Sequence, residues 1–190
     1  MSRVTILVGF AEALSAPEAV WSLVDGGFQV IAFGRKGRSS ALRHSRHVVC
    51  HEICAPELNL QASISDLHAL MDSIRSTADG AQLIFFPLDD KAVWLGNRLG
   101  PTVGWLLAGP TGKQAELALN KSVQTSLARE AGFLVPETLL VRNAAEALEF
   151  AKREGFPIIL KAADCVPEYQ GRVYSCRKWI CANQDELDRL

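Results

Sequence analysis

The first 110 residues alternate short apolar runs with longer amphipathic segments. The apolar runs predict five buried strands, at residues 3–9, 28–34, 47–53, 81–87 and 102–110. Between them, apolar residues recur at helical spacing and predict helices at residues 15–26, 63–78 and 89–99. Strands that are apolar throughout and alternate with helices are typical of a parallel sheet covered on both faces. We therefore predict a doubly wound α/β domain over residues 1–109.

The pattern changes after Pro110 and predicts a smaller α+β unit over residues 110–190. One helix is expected to begin near Lys121 and to end at Gly132, because glycine favours helix termination. The other predicted elements are helices at 111–120 and 143–154 and strands at 138–142 and 156–161, with one or two further strands within 172–182.

Two capping boxes mark helix starts in this second half, at residues 143–146 ("NAAE") and 183–186 ("NQDE"). The second box opens a helix with only residues 187–190 remaining. So short a helix is expected to be unable to bury a face. We therefore expect the chain to be part of a longer one, or to be completed by a partner.

Composition and charge restrict the function classes. The chain is 48% hydrophobic and 22% charged, as in a globular protein, and its formal net charge is −1. This charge gives no case for nucleic acid or an anionic membrane as a partner. The basic segment Arg35 to His47 is interpreted as a solvated loop and short helix. No signal peptide and no apolar run of membrane-spanning length is found.

Five cysteines, irregularly spaced, indicate free thiols and a cytoplasmic protein. A metal site at Cys50, His51 and Cys54 is conceivable. However, Cys50 and His51 would point to opposite faces of a strand, and no second CxxC-type pair exists. We expect no metal site within this chain and interpret the cysteines as buried small side chains.

Acidic residues follow two of the predicted strands, where ligands bind to parallel sheets. Glu12 follows the first strand, and Asp89 and Asp90 follow the fourth. All three are candidates for substrate binding. The alternative is that Asp89 caps a helix, that Asp90 favours the helix dipole from its first turn, and that Glu12 is a solvated loop residue. The dinucleotide fingerprint GxGxxG is absent.

Two lysines carry the most specific signal. Lys121 lies in "NKSVQTSLAREAGFLVP", and Lys161 ends "GFPIILK", 40 positions later (161 minus 121). In this order and spacing the sequence resembles the ATP-grasp superfamily, in particular its carbamoyl phosphate synthetase and biotin carboxylase branch. The first domain is similar to the Rossmann-like pre-ATP-grasp domain of that branch. The resemblance spans essentially the whole chain and implies that residues 110–190 form the first α+β subdomain of an ATP-grasp fold.

The resemblance implies an ATP-dependent carboxylate-amine or carboxylate-thiol ligase that acts through an acyl phosphate. Lys121 and Lys161 would bind phosphate oxygens of ATP. The family's glycine-rich phosphate loop is replaced here by residues 162–178, whose single glycine is Gly171, with Arg172 as a possible source of charge.

The resemblance also implies parts that this sequence lacks. The second ATP-grasp subdomain, with the acidic residues that bind Mg²⁺, would lie outside the chain. We therefore expect the chain alone to be inactive and to expose apolar surface, which leaves self-association into a homo-oligomer open. The alternative function is a non-catalytic α/β module that binds a small molecule or a partner chain, with incidental lysines.

Overall fold

The computed structural model describes residues 4–100, 102, 104–175 and 178–190. By its internal contacts the chain divides into two units. The first comprises Met1–Glu116 and Glu168–Tyr174, and the second comprises Leu117–Pro167 and Ser175–Leu190. This division by contacts differs from the boundary between residues 109 and 110 that is expected from the sequence. That expected boundary remains a prediction.

A parallel five-stranded sheet forms the first unit, in the order β3-β2-β1-β4-β5. On β1, Ile6 pairs with Val30 of β2 on one side and with Ile84 of β4 on the other. The doubly wound α/β fold predicted from the apolar runs is therefore confirmed. The strands are β1 (Val4–Gly9), β2 (Gln29–Arg35), β3 (Val49–Ile53), β4 (Gln82–Pro87) and β5 (Trp105–Leu107).

Helices connect these strands and bury their apolar stripes against the sheet. On one face, Val20 of α1 and Leu42 pack in a core with Ile6, Val8 and Val30. The connecting elements are α1 (Ala16–Asp25), a 3-10 helix (Ala41–His44), α2 (Leu60–Thr77) and α3 (Asp90–Arg98), and α4 (Lys113–Leu119) follows β5.

Aromatic packing accounts for the glycine that ends β1. The ring of Phe33 lies 5.1 Å from that of Phe10 and 5.7 Å from that of Phe85, measured between centroids. A Cβ atom added at Gly9 would lie 2.0 Å from Cζ of Phe33. Only glycine therefore lets β1 approach this ring without displacing it.

Two predicted boundaries in the first unit were wrong. Helix α2 begins at Leu60 rather than at residue 63, because the Asn59 side chain caps it by accepting a hydrogen bond from the Ala62 N–H at 3.0 Å. Strand β5 has three residues, fewer than the predicted 102–110. Residue 103 of that prediction lies outside the described part of the chain.

The second unit packs helices on one face of a two-stranded antiparallel sheet. Its core consists of Ala147, Ala151, Ile158, Cys181 and Leu187. The unit contains α5 (Lys121–Glu130), α6 (Ala144–Glu154), β6 (Ile158–Lys161), β9 (Lys178–Cys181) and α7 (Gln184–Asp188).

The strand predicted at residues 138–142 was wrong, because the structure assigns no strand there. Within the described residues, β6 pairs only with β9, so this segment has no partner strand. Leu139 and Leu140 are consequently exposed, at 49% and 62%. The strands expected within 172–182 are present as β9 and a two-residue strand, while Cys176 and Arg177 lie outside the described residues.

Both predicted asparagine caps form, and each glutamate reaches back to the N–H of the residue before the asparagine, Arg142 or Ala182. Asn143 and Asn183 each accept a hydrogen bond from the N–H of the glutamate three residues later, at 3.0 Å. The expectation that the last helix could not bury a face was wrong. Leu187 of α7 is only 3% exposed, because it packs into the core beside Ala147 and Cys181.

Candidate functional site

A cavity of about 620 Å³ in the second unit contains both predicted phosphate-binding lysines in its lining. Lys121 lies at the first residue of α5, and Lys161 lies at the last residue of β6. The rest of the lining is largely apolar and comes from residues 122, 125, 136–141, 150, 154–155, 157–160 and 162–163, including Leu140, Phe150 and Ile159. The structure thus brings the two lysines to one cavity.

Backbone pairing explains how residues 40 positions apart reach the same cavity. The Lys121 N–H donates to the Ala163 carbonyl at 2.8 Å, and the Cys165 N–H donates to the Leu119 carbonyl at 2.8 Å. Asn120 caps α5 by accepting from the Val123 N–H, and its amide donates to the Asp164 carboxylate at 3.0 Å. The start of α5 is therefore tied to the segment that directly follows Lys161.

Neither lysine forms an ion pair with a residue that the structure describes. Lys161 is exposed and Lys121 is half-buried. Sequence reasoning missed a third ammonium group, that of Lys178, whose backbone lies directly opposite Lys161 on β9. Only the strand register reveals this residue, since nothing in the local sequence distinguishes it from a solvated lysine.

A second cluster of charges lies in the first unit, at the carboxyl edge of its sheet. Arg35 ends β2, and its guanidinium is 2.6 Å from Glu12, 3.1 Å from Glu57 and 3.7 Å from Asp89. The guanidinium also lies over the ring of Phe10, 3.7 Å from its centroid. This cluster, which we call the Arg35 network, joins the segments that follow β1, β3 and β4 to the end of β2.

The Arg35 network corrects two interpretations made from the sequence. Arg35 is 8% exposed, so it does not belong to a solvated basic segment. Glu12 is not a solvated loop residue, because it is ion-paired with Arg35 and only 18% of its side chain is exposed. Asp89 caps α3, accepting from the Ala92 N–H at 2.7 Å, whereas Asp90 is exposed and outside the network.

Burial and pairing shift the protonation of the network in different directions. Burial alone would lower the pKa of Arg35, but the hydrogen bond to Glu12 and the charges of Glu57, Asp89 and Glu12 raise it. Burial would raise the pKa of Glu57, yet the hydrogen bond from Lys91 and the charge of Arg35 lower it.

Asp89 behaves differently from Glu57. Burial raises the pKa of its carboxyl group despite the Ala92 N–H and the Arg35 charge, which both act to lower it. Burial therefore outweighs pairing at Asp89, which lies 3.7 Å from the guanidinium, farther than Glu57 does.

Gly171 and Arg172 lie in a short hairpin that belongs to the first unit, formed by β7 (Glu168–Tyr169) and β8 (Arg172–Val173). The Gly171 carbonyl accepts from the Leu60 N–H, and the Val173 N–H donates to the Pro56 carbonyl, each at 3.1 Å. Val173 is 2% exposed. Neither Gly171 nor Arg172 lines the cavity that contains Lys121 and Lys161.

A doubly wound parallel sheet followed by a small antiparallel α+β unit defines the class of fold. The fold is similar to that of solved biotin carboxylase and N5-carboxyaminoimidazole synthase structures, which confirms the fold expected from the sequence resemblance. A scan against protein-family models and a search of curated proteins found no match.

Three solved structures illustrate the likeness. The biotin carboxylase domain of Hydrogenobacter thermophilus 2-oxoglutarate carboxylase, with MgADP, ADP and bicarbonate, is 22% identical with a TM-score of 0.63 and covers 100% of this chain and 40% of its own. Campylobacter jejuni biotin carboxylase, in a complex with βγ-ATP, is 19% identical with a TM-score of 0.58. The match covers 97% of this chain and 40% of the biotin carboxylase chain.

N5-carboxyaminoimidazole synthase from Aspergillus clavatus, with ADP and 5-aminoimidazole ribonucleotide, is 14% identical with a TM-score of 0.59 and covers 99% of this chain and 43% of its own. At these identities the likeness shows the fold. The chain spans about two fifths of the length of these structures.

The described residues contain no group of three or more His, Cys, Asp or Glu side chains placed to hold a metal ion. None of the described helices is long and apolar enough to cross a membrane.

Proposed function

We propose that this chain is the N-terminal part of an ATP-dependent carboxylate-amine or carboxylate-thiol ligase of the ATP-grasp type. The observation that carries the proposal is the convergence of Lys121 and Lys161 on one cavity, without an acidic partner among the described residues. Ammonium groups on two separate elements are suited to bind the concentrated negative charge of ATP phosphates. The apolar remainder of the lining is suited to a nucleotide base.

In this proposal, the lysines hold and orient the nucleotide, and little ordering is needed on binding. Lys161 stands on a paired strand, and Lys121 stands on a capped helix whose start is bonded to residue 163. Preorganised cations of this kind stabilise the negative charge that develops in the transition state as the phosphoryl group leaves ATP. ATP supplies the phosphoryl group that would activate a small carboxylate as an acyl phosphate.

Magnesium enters the proposal as a partner of ATP. The Mg²⁺ ligands would come from the second ATP-grasp subdomain, which the sequence resemblance places outside this chain. The second wall of the nucleotide cleft would also come from outside this chain. On its own, the chain should therefore bind ATP weakly and lack ligase activity. Cys50, Cys54 and Cys181 are free thiols, which favours a cytoplasmic setting.

Glu12, Asp89 and Asp90 remain proposed substrate-side residues. Glu12 and Asp89 lie beyond the carboxyl ends of β1 and β4, the two strands between which the strand order reverses. Ligands of doubly wound sheets bind at this point. Because both carboxylates contact Arg35, a substrate would bind beside an already assembled ionic network.

The experiment is an ATP titration of the chain followed by NMR, which detects weak binding. Lys161→Met should weaken ATP binding about ten- to a hundredfold, because a hydrogen bond to a charged group contributes about 1.5–3 kcal/mol. Lys152→Met removes an exposed lysine of the same unit and is the matched control. Equal affinity of wild type and Lys161→Met would contradict the proposal.

A further inference from the structure

The two-stranded sheet of the second unit has two unlike faces. Ile158 and Cys181 pair across the strands and are buried, at 6% and 1% exposure. The next pair, Ile159 and Ile180, is exposed at 56% and 63%. Because side chains alternate between the two faces of a strand, the residues two positions along, Lys161 and Lys178, lie on the same face as Ile159 and Ile180. The open face thus carries an apolar pair followed by a cationic pair.

The cationic pair is unusual, because directly opposite residues hold their side chains on the same face about 4.5–5.5 Å apart at Cβ. Like charges in this arrangement destabilise a sheet. Lys161 and Lys178 are both exposed, and neither forms an ion pair with a described residue. Lys121 lines the cavity with Lys161, whereas Lys178 lies outside that lining and is linked to it by its pairing with Lys161.

We propose that Lys178 is a third phosphate-binding residue of this site. The inference rests on the proposed function and goes beyond it, because it adds a residue on β9 to the two lysines of the cavity lining. A chain of phosphates can contact ammonium groups on α5, β6 and β9 at once. The cost of placing two lysines opposite each other is offset when the anion binds.

The test measures binding of inorganic tripolyphosphate to the chain by NMR titration, with orthophosphate as the single-anion probe. Lys178→Met should weaken tripolyphosphate binding about tenfold, the loss of one charge-assisted contact. Lys178→Arg keeps the charge and should stay within about threefold of wild type. Lys152→Met, the matched control, should bind as wild type does. Orthophosphate should bind far more weakly and respond little to Lys178→Met.

A second readout separates binding from structural support. Removing one of two opposed ammonium groups should leave the Tm of the unliganded protein unchanged or raise it by about 1–4 °C. A residue that merely supports the sheet would instead lower the Tm when replaced. A lowered Tm with unchanged tripolyphosphate affinity would therefore overturn the inference.

The inference and the proposed function can fail separately. If Lys161→Met weakens binding and Lys178→Met does not, the inference is overturned and the proposed function stands. If wild type binds neither ATP nor tripolyphosphate, or if Lys161→Met binds them as wild type does, the proposed function fails and this inference fails with it. If Lys178→Met and Lys152→Met weakened tripolyphosphate binding equally, the effect would come from net charge alone, and the inference would also be overturned.

Discussion

The charged groups of the two units are used in opposite ways. In the first unit, Arg35 is buried among three carboxylates, and the network holds the segments that follow β1, β3 and β4 to the end of β2. In the second unit, Lys161 and Lys178 stand on an open sheet face without a described acidic partner. The difference indicates that the first set is part of the fold, whereas the second set lacks the counter-charge that a ligand would supply.

The largest expected effect is in the Arg35 network. Arg35→Met leaves Glu12, Glu57 and Asp89 without their shared cation. Breaking a buried ion pair by removing one partner costs about 3–5 kcal/mol. Because the carboxylates are partly exposed, the free energy of unfolding should fall by about 3 kcal/mol. Urea unfolding at neutral pH measures it.

The matched control for Arg35 is Arg38→Met, three residues further on and exposed. Its free energy of unfolding should stay within about 0.5 kcal/mol of wild type. Similar losses for both variants would contradict the structural role assigned to Arg35.

A smaller, pH-dependent effect distinguishes two carboxylates of the same network. The pKa of Glu57 is lowered, so its contribution is present at neutral pH and is lost as pH falls through the folded-state pKa. Glu57→Gln should cost about 1–2 kcal/mol at neutral pH, discounted for the exposed quarter of the side chain, and less in acid.

Asp89 should respond in the opposite sense. Because its pKa is raised, ionisation of Asp89 costs stability as pH rises through the folded-state value. Asparagine also caps helices, so Asp89→Asn should keep the cap of α3 and change stability by less than about 0.5 kcal/mol at neutral pH. Unfolding of both variants from pH 4 to 8 tests the contrast, and a larger loss in Asp89→Asn would refute it.

The smallest effect concerns the hairpin of Gly171 and Arg172, where an exposed ion pair links Arg98 to Glu168 at 2.6 Å. Pairs of this exposure contribute about 0.2–1 kcal/mol. Arg98→Glu should therefore speed amide exchange at Leu60 and Val173 only a few-fold. The double variant that exchanges the two charges should restore the wild-type rate, and failure to restore it would mean that the pair does not hold the hairpin.

Local sequence signals predicted much of this molecule. Apolar runs located the strands of the parallel sheet, and Asn143, Asn183 and Asp89 were identified as caps because capping depends on a few neighbouring residues. The fold around Lys161 followed from a resemblance carried by motif order and spacing.

Features that depend on distant partners escaped sequence reasoning. Arg35 is buried because Glu57 and Asp89 approach from other loops, and Lys178 matters because of its register with Lys161. The final helix is stable because Leu187 reaches the core of the second unit, while the apolar run at 138–142 found no described strand to pair with. In each case tertiary contacts overrode the local pattern.

The most direct test of the contrast between the two units is an NMR map of the amides that shift when MgATP is added to the chain. The account predicts shifts at residues 121, 161, 163 and 178, with those at 12, 35 and 89 unchanged, and it predicts that Lys161→Met abolishes the pattern at the same ATP concentration. Shifts confined to the carboxyl edge of the first sheet, or a pattern that persists in Lys161→Met, would contradict it.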